Sequence, residues 1–591
     1  MNSRSLAFMI GVLVFTKLAV PIRLDAQEHA HYKLIDLGTF GGPQSYVYMP
    51  NNYAAVLNDQ GTVAGWADTS ITPDPFSPYC FDQDCYVSTA FQSWNGTISG
   101  LGALSGGVSS AASWISSDGL IAGWAENGST DPSFPVPGIP VTHAVLWKDF
   151  LITDLTTLRD GYQSVALAVN NRGQVVGAAD NGTADSNAMF SDNYGWVTQT
   201  RAFLWQDDVM QDLGTLGGTD AVALLINDRG QIVGSSYTSS APSAYCGANF
   251  GAPLTTRAFL YEDGEMKNIG SFGGTCTFPS DLNNRGEIVG ISTLPGDKVQ
   301  HAFLWKNDVL NNLPNTIGGK NAAAIALNDG GDVVGWVSAP GDQDIEHEQI
   351  HASLWKNGIM TDLGTLGTDP CSNGFSVNAA EQVVGVSVAK GVSTPCNFLQ
   401  TRAFLWQQGS MVDLNTLIPA DSSLYLTSPE TINDRGEIAG VGVDANGNQH
   451  AFLLIPCSLD DCACGDAAEY PAFRPIPDIN RLSNDRTAIH RVPRRGLRPA
   501  SEISPLNTSS AGSIEPSESM PLTDDTVNKT GNALPDLSDL LDAHAISRSE
   551  TAPKCGHDGM PCSERKVYSG CCPGLKCVFH GGSTRAGYEC R

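Results

Sequence analysis

Charge is scarce in this sequence, and positive charge scarcer still. Only 16% of the 591 residues are charged, and 34 Lys and Arg stand against 62 Asp and Glu. Helical bundles need many Lys and Glu on their outer faces, so this composition speaks against one. The formal net charge of −28 repels nucleic acid and anionic membranes, which excludes both as general partners. Beyond the N-terminus no apolar run approaches the length that crosses a bilayer. A GxSxG motif, a Walker loop and an EF-hand ligand series are also absent. No motif therefore announces an esterase nucleophile, a phosphate cradle or a calcium loop.

What is plentiful is glycine, 62 residues of it, which suits turn-rich β-structure. The acidity is localised: 46 acidic and 16 basic residues lie between Gln27 and Asp466, and the remainder sums to slightly positive. Arg4, the apolar stretch LAFMIGVLVF and the small residue Ala26 predict a signal peptide over 1–26 and an exported chain beginning near Gln27. No integral membrane segment remains after its removal. Fifteen cysteines suit an oxidising compartment. Asn95, Asn127, Asn181, Asn507 and Asn528 head Asn-x-Ser/Thr sequons, which matter in a host that glycosylates.

Two short modules alternate over residues 31–456. The first is an apolar strand: TAFQSW, HAVLW, RAFLW, RAFLY, HAFLW, HASLW, RAFLW and HAFLL. The second is a turn leading into a strand: LNDQGTVAGW, ISSDGLIAGW, VNNRGQVVGA, INDRGQIVGS, LNNRGEIVGI, LNDGGDVVGW, VNAAEQVVGV and INDRGEIAGV. The turn modules recur with a mean period of about 54 residues. Asn-Asp-x-Gly reverses a chain because Asn and Gly tolerate positive φ and the side chain bonds its own backbone. The apolar pair that follows reads as a strand, and the unbroken AFLW reads as a strand buried on both faces. DLGTLGG supplies a third short strand, and stretches such as AVALLI and NAAAIAL a fourth. Four short strands per repeat of this length describe a propeller blade.

The chain enters with HYKLIDLGTFGG and no preceding HAF strand, and leaves the repeats with QHAFLLIP and no following DLG. Joining those ends completes a blade and hides two sheet edges. The predicted fold is therefore an all-β propeller of eight blades, with seven as the fallback because the VNAAE repeat is irregular.

On these motifs the chain resembles the extracellular HAF-repeat proteins, named for the His-Ala-Phe of QHAFLW. The resemblance covers about 70% of the chain and implies a secreted propeller-like repeat protein. It brings no agreed activity or catalytic residues. Three RAF copies and TAFQSW lack the histidine, so that residue is not essential to the unit.

The candidate chemical groups are mostly repeat positions. His143, His301, His351 and His450 share one position with Arg201, Arg257, Arg402 and Thr89. Equivalent positions on different blades are spread around a ring and do not converge on one ion, so these residues are read as structural. The recurring Asp36, Asp154, Asp212, Asp362 and Asp413 are read as turn or cross-strand partners of that His or Arg, with cation binding in an acidic channel as the other reading. HEQIH, from His347 to His351, matches the H-E-x-x-H metalloprotease signature. That signature needs a helix, whereas His351 opens a blade strand, where residues four apart do not grip one ion in that way. DANGNQ, from Asp444, is read as a hairpin turn. Trp66, Trp124 and Trp336 are assigned to packing over a sugar-binding surface. No catalytic residue, cofactor or metal is predicted.

From residue 465 to 554 periodicity is lost to Pro, Ser, Asp and Arg, which predicts a disordered linker. Residues 555–591 then carry six cysteines in the pattern C-x6-C-x8-CC-x4-C-x12-C. A segment this short has too little core to fold unaided, and disulfides can supply the rest. Six cysteines permit 15 pairings. The pattern resembles an inhibitor cystine knot, or knottin. That resemblance implies Cys555–Cys572, Cys562–Cys577 and Cys571–Cys590, and a role in recognition without naming a target. Elsewhere Cys80–Cys85 and Cys371–Cys396 are expected local pairs, Cys246–Cys276 is a further option, and the odd total leaves at least one thiol free or paired with another chain.

The reading is a secreted, non-catalytic binding protein for an extracellular carbohydrate or protein, with the knottin as a tethered second recognition surface. Two others stand beside it: an extracellular hydrolase or lyase acting on polysaccharide or peptide, and a defence or toxin-like protein whose effector is the knottin. Oligomeric state is not legible.

Overall fold

The computed structural model describes residues 31–457 apart from 48–54, 78–79, 81–84, 135–137, 190–195, 245, 247–251, 341–348 and 391–395. It also describes 561–562, 577–580 and 587–590. The expected leader at 1–26, the expected linker at 465–554, His347, Glu348, Cys555, Cys571 and Cys572 lie outside the described residues.

Eight four-stranded antiparallel sheets make the propeller. Blade 3 is typical: Ser164–Val169 is followed by Val175–Ala184, Thr198–Gln206 and Val209–Asp212 in simple up-and-down order. Its first strand is buried throughout and its last is largely exposed, so the chain runs from the axis to the rim. The last blade departs from that order. Tyr425–Ile432, Ile438–Val443 and Gln449–Cys457 provide three strands, and His31–Asp36 from the N-terminus provides the outer fourth. His31 lies opposite Cys457 and Asp36 opposite Phe452. The ring is thus closed by both ends of the repeat region, as its incomplete first and last repeats predict, and the count is eight.

The two sequence modules meet inside each blade. The glycine of VVG on the second strand faces the phenylalanine of AFLW on the third: Gly177 opposite Phe203, Gly234 opposite Phe259, Gly290 opposite Phe303. A Cβ on Gly234 would fall 1.9 Å from Val222 O and 2.7 Å from the Phe259 ring, so only glycine fits. The rings it accommodates, including Phe91, Phe203, Phe259, Phe303, Phe404 and Phe452, are fully buried. Each contributes about 2–3 kcal/mol of apolar transfer. The DLG segment differs from the predicted strand. The outer strand usually ends at the aspartate, and Gly214 at φ +85° and Gly217 at φ +110° turn the chain back toward the axis.

Inner strands carry a register shift in blades 2 to 8, as at Ala166/Ala168, Ala223/Leu225 and Gly374/Ser376. Leu167, Leu224, Ile325 and Phe375, the extra residues in four of these shifts, belong to one continuous apolar cluster. Apolar side chains from these inner strands thus share a single core.

The C-terminal unit contains a three-stranded sheet of Pro561–Cys562, Gly587–Cys590 and Cys577–His580, with Gly587–Cys590 in the middle.

Candidate functional site

The recurring His or Arg and the recurring Asp are partners. They lie eleven residues apart, on the third and fourth strands of one blade. His143 Nδ1 is 2.9 Å from Asp154, His351 Nδ1 is 3.0 Å from Asp362, and Arg201 Nε donates to Asp212 at 3.0 Å. In the closing blade His450 Nδ1 is 3.0 Å from Asp36, so this brace ties the two ends of the repeat region. The Asp36 contact raises His450 above its ordinary value against the opposing effect of burial. Burial pushes Asp36 up, but His450 and the Gly38 N–H together hold it below its ordinary value. Arg402 reaches Asp369 at 2.6 Å and Asp413 at 3.9 Å. Arg257 and His301 have no aspartate opposite. Arg257 donates to the carbonyls of Thr256, Gly274 and Thr275, and Asn312 is the partner of His301, whose pKa burial lowers. These residues are braces between strands. His351, the second histidine of H-E-x-x-H, sits in a strand against Asp362.

The Asn-Asp-x-Gly turns do more than reverse the chain. Asn227 Oδ1 accepts the N–H groups of Arg229 and Gln231, closing its own turn. Its Nδ2 donates to Gln231 Oε1 at 2.8 Å and to Asn283 O, in the next blade, at 3.0 Å. The inter-blade bond recurs from Asn58 to Ser116, Asn170 to Asn227, Asn283 to Asn328, Asn328 to Asn378, Asn378 to Asn433, and Asn433 back to Asn58. Ser116 is the one member with no amide to pass on. One residue further, the N–H groups of Asn171, Asp228, Asn284, Ala379 and Asp434 donate to the Asn or Asp side chain of the following blade, and in blade 2 the N–H of Asp118, two residues past Ser116, does the same. A local reading of the turn motif misses this belt, although the recurrence of Asn at one period was its signal.

In an up-and-down blade these turns share one end of the propeller with the hairpins joining third to fourth strands. The opposite end carries the connections between blades and the loops between second and third strands. Those loops differ in sequence from blade to blade. Of the three disulfides that join two described residues, two take a cysteine from these loops: Cys80–Cys85 lies within a loop of blade 1, and Cys246–Cys276 ties a loop of blade 4 to the edge of blade 5. Cys371–Cys396 lies at the same end of blade 7. An oxidising compartment preserves such bonds. No helix of the described residues is long and apolar enough to cross a membrane.

At this loop-bearing end, between blades 5 and 6, lies a cleft of about 450 Å³. Leu294, Val299, Leu313 and Pro314 give it apolar walls, and His301, Asn312, Asn315 and Lys320 supply polar groups. Its size is in the range of small-ligand sites. The mixture of apolar wall, amide, imidazole and ammonium suits a ligand rich in hydrogen-bonding groups. Carboxyls on the inner strands form a separate feature. Burial pushes Glu430, which accepts a bond from Ser428 Oγ, up to about 7. It pushes Asp281 up to about 6 despite the N–H groups of Leu327 and Leu282. Trp66, Trp124 and Trp336 are buried, as packing residues are. Asp444 closes a hairpin by accepting the N–H groups of Asn446 and Asn448.

No family model matches the chain, and no curated protein does. Among solved structures it is similar to the β-propeller domain of the Trilobed protease from Pyrococcus furiosus, at 11% identity and a TM-score of 0.34, over 66% of this chain and 97% of that one. It is also similar to an acylaminoacyl peptidase from Pyrococcus horikoshii, at 13% identity and a TM-score of 0.34, over 63% of this chain and 52% of that one. A TolB protein from Acinetobacter baumannii follows at 11% identity and a TM-score of 0.26, over 57% of this chain and 80% of that one. At such identities these likenesses concern the fold alone.

Proposed function

We propose that this chain is a secreted, non-catalytic recognition protein whose propeller presents its loop-bearing end to an extracellular carbohydrate or protein. One observation carries the reading: the blades differ from one another chiefly at that end, which also holds the cleft and the disulfides. Binding sites concentrate on loops held by a rigid scaffold. The blade motifs support placing the repeats with the HAF-repeat proteins. The cysteine pattern of 555–591, together with the sheet carrying Cys562, Cys577 and Cys590, supports a knottin-like second recognition module on the linker.

The test is a binding screen of the full chain against glycans, cell-wall polymers and extracellular proteins, followed by product analysis of every hit. Binding without product, weakened about tenfold by Lys320→Ala as loss of one charge-assisted hydrogen bond predicts, is the expected result. Shortened products would replace this reading with a hydrolase or lyase. Binding lost only on removal of 555–591 would make the knottin-like segment the effector.

A further inference from the structure

The loops that follow the second strands of blades 1, 2 and 3 begin in the same way. Asp74, Asp131 and Asp185 each donate a backbone N–H across the loop, to Cys85 O, Ile139 O and Val197 O. Each accepts on Oδ1 the N–H two residues on, from Phe76, Ser133 and Asn187. The other carboxylate oxygen is met from the next blade in two of the three. Ser109 Oγ donates to Asp74 Oδ2 at 3.0 Å, and Gln163 Nε2 donates to Asp131 Oδ2 at 3.1 Å. Ser109 and Gln163 immediately precede the inner strands of blades 2 and 3. The residue in that place before blade 4 is Asp220. A donor has become an acceptor, and one acid now faces another.

The surroundings make good the loss only in part. Asp220 is fully buried; its Oδ2 accepts the Met189 N–H at 2.7 Å, and its Oδ1 is buried with no hydrogen-bond partner. In blade 2 the hydroxyl of Thr142 donates to Gln163 Oε1 at 2.9 Å. The counterpart hydroxyl in blade 3, on Thr200, is buried and unpartnered. The Thr200 N–H and the Thr219 hydroxyl face Asp220 and help to stabilise its charge, but neither Thr219 Oγ1 nor Asp220 Oδ1 completes a well-formed hydrogen bond. Burial raises the Asp220 carboxyl, and the Asp185 charge adds to the rise, against the lowering effect of the Met189 and Thr200 N–H groups and the Thr219 hydroxyl. Buried oxygens without donors are costly unless something positive sits among them.

We propose that the junction of blades 3 and 4 is a binding site for a divalent calcium ion, held by the carboxylates of Asp185 and Asp220 with the hydroxyls of Thr200 and Thr219 beside them. The donors are all oxygen, with no imidazole or thiolate, which selects a hard cation over zinc or copper. Calcium is favoured over magnesium because a fully buried carboxylate requires an ion that sheds water readily, and magnesium does so reluctantly. A proton shared between the two acids would satisfy Asp220 Oδ1 but leave the Thr200 hydroxyl unpaired.

The test is thermal unfolding of the full chain at neutral pH in chelator and in about 5 mM calcium, several times the dissociation constant of roughly 0.1–1 mM common in extracellular modules. Wild type should gain a few degrees in calcium and less in magnesium. Asp220→Gln restores the donor found at Gln163. It should lose the calcium response while unfolding in chelator no earlier than wild type. Asp185→Asn reads the same pair from the other side, should Asp220→Gln fail to fold. The proposal falls if calcium leaves wild type unmoved or if the shift survives both substitutions. It falls equally if acidification in chelator supplies the whole gain, which would mean a shared proton.

Discussion

At the end that carries the Asn-Asp turns, nearly every blade offers the next the same donor and acceptor, whereas at the opposite end no two blades have the same loop sequence. The difference teaches where a repeat protein fixes its geometry and where it is free to vary. The turn end is joined by hydrogen bonds whose partners recur at one period, so a change in any blade is felt by two. The loop end is joined by devices particular to one pair of blades: a disulfide from Cys246 to Cys276, a glutamine bridge from Gln163 to Asp131, and the acid pair of Asp185 and Asp220.

The largest way to break this contrast is at the loop end. Replacing Cys246 and Cys276 together with serine opens a link spanning 30 residues. It should cost about 3–4 kcal/mol by the loop-closure account, measured by denaturant unfolding. A cost near zero would mean the loop end holds itself without covalent help. Next, Asn227→Ala at the turn end removes two donated and two accepted bonds at a buried residue. We expect a loss of about 2–3 kcal/mol, because buried partners are left unsatisfied. If the loss matches that of an exposed alanine substitution, the belt is ornamental. The contrast can also be sharpened: Ser116→Asn adds the one missing amide and should stabilise by about 0.5–1 kcal/mol in the same assay. A loss there would show that blade 2 departs from its neighbours for a packing reason.

The smallest effect is pH-dependent and concerns the closing brace. His450 is raised above its ordinary 6.5, so its contribution is full below that value and is lost as pH rises through the folded value. Asp36 is lowered below its ordinary 3.8, so its contribution is present above that value and is lost as pH falls through the folded one. The stability difference between wild type and Asp36→Asn should therefore be greatest between about pH 4 and 6.5 and shrink toward pH 9. A difference independent of pH would make the brace a neutral hydrogen bond.

Much of the architecture was legible because the modules repeat. Eight copies of each gave the blade count, the incomplete first and last repeats gave the closure, and His or Arg spaced eleven residues from Asp gave the braces. The glycine of VVG and the phenylalanine of AFLW were legible as separate motifs but not as one contact, since strand register is set in three dimensions. The belt of asparagines was hidden for a similar reason: a turn motif explains itself locally, and nothing local shows that the second amide hydrogen leaves the blade. Asp220 carried no signal at all. The residues ahead of the inner strands, Ser109, Gln163, Asp220 and Asn321, share a place in the fold and no motif. The cleft is likewise built from loop residues outside the repeat.

The closing blade has a consequence in time. Its outer strand, His31–Asp36, leaves the ribosome first, and its partner, Gln449–Cys457, comes more than 400 residues later. At ordinary rates of synthesis, on the order of 5–20 residues per second, the interval is some tens of seconds. Until the partner arrives the growing ring has two open edges and no last blade. The protein must be kept from pairing those edges with another chain before it can pair them with itself.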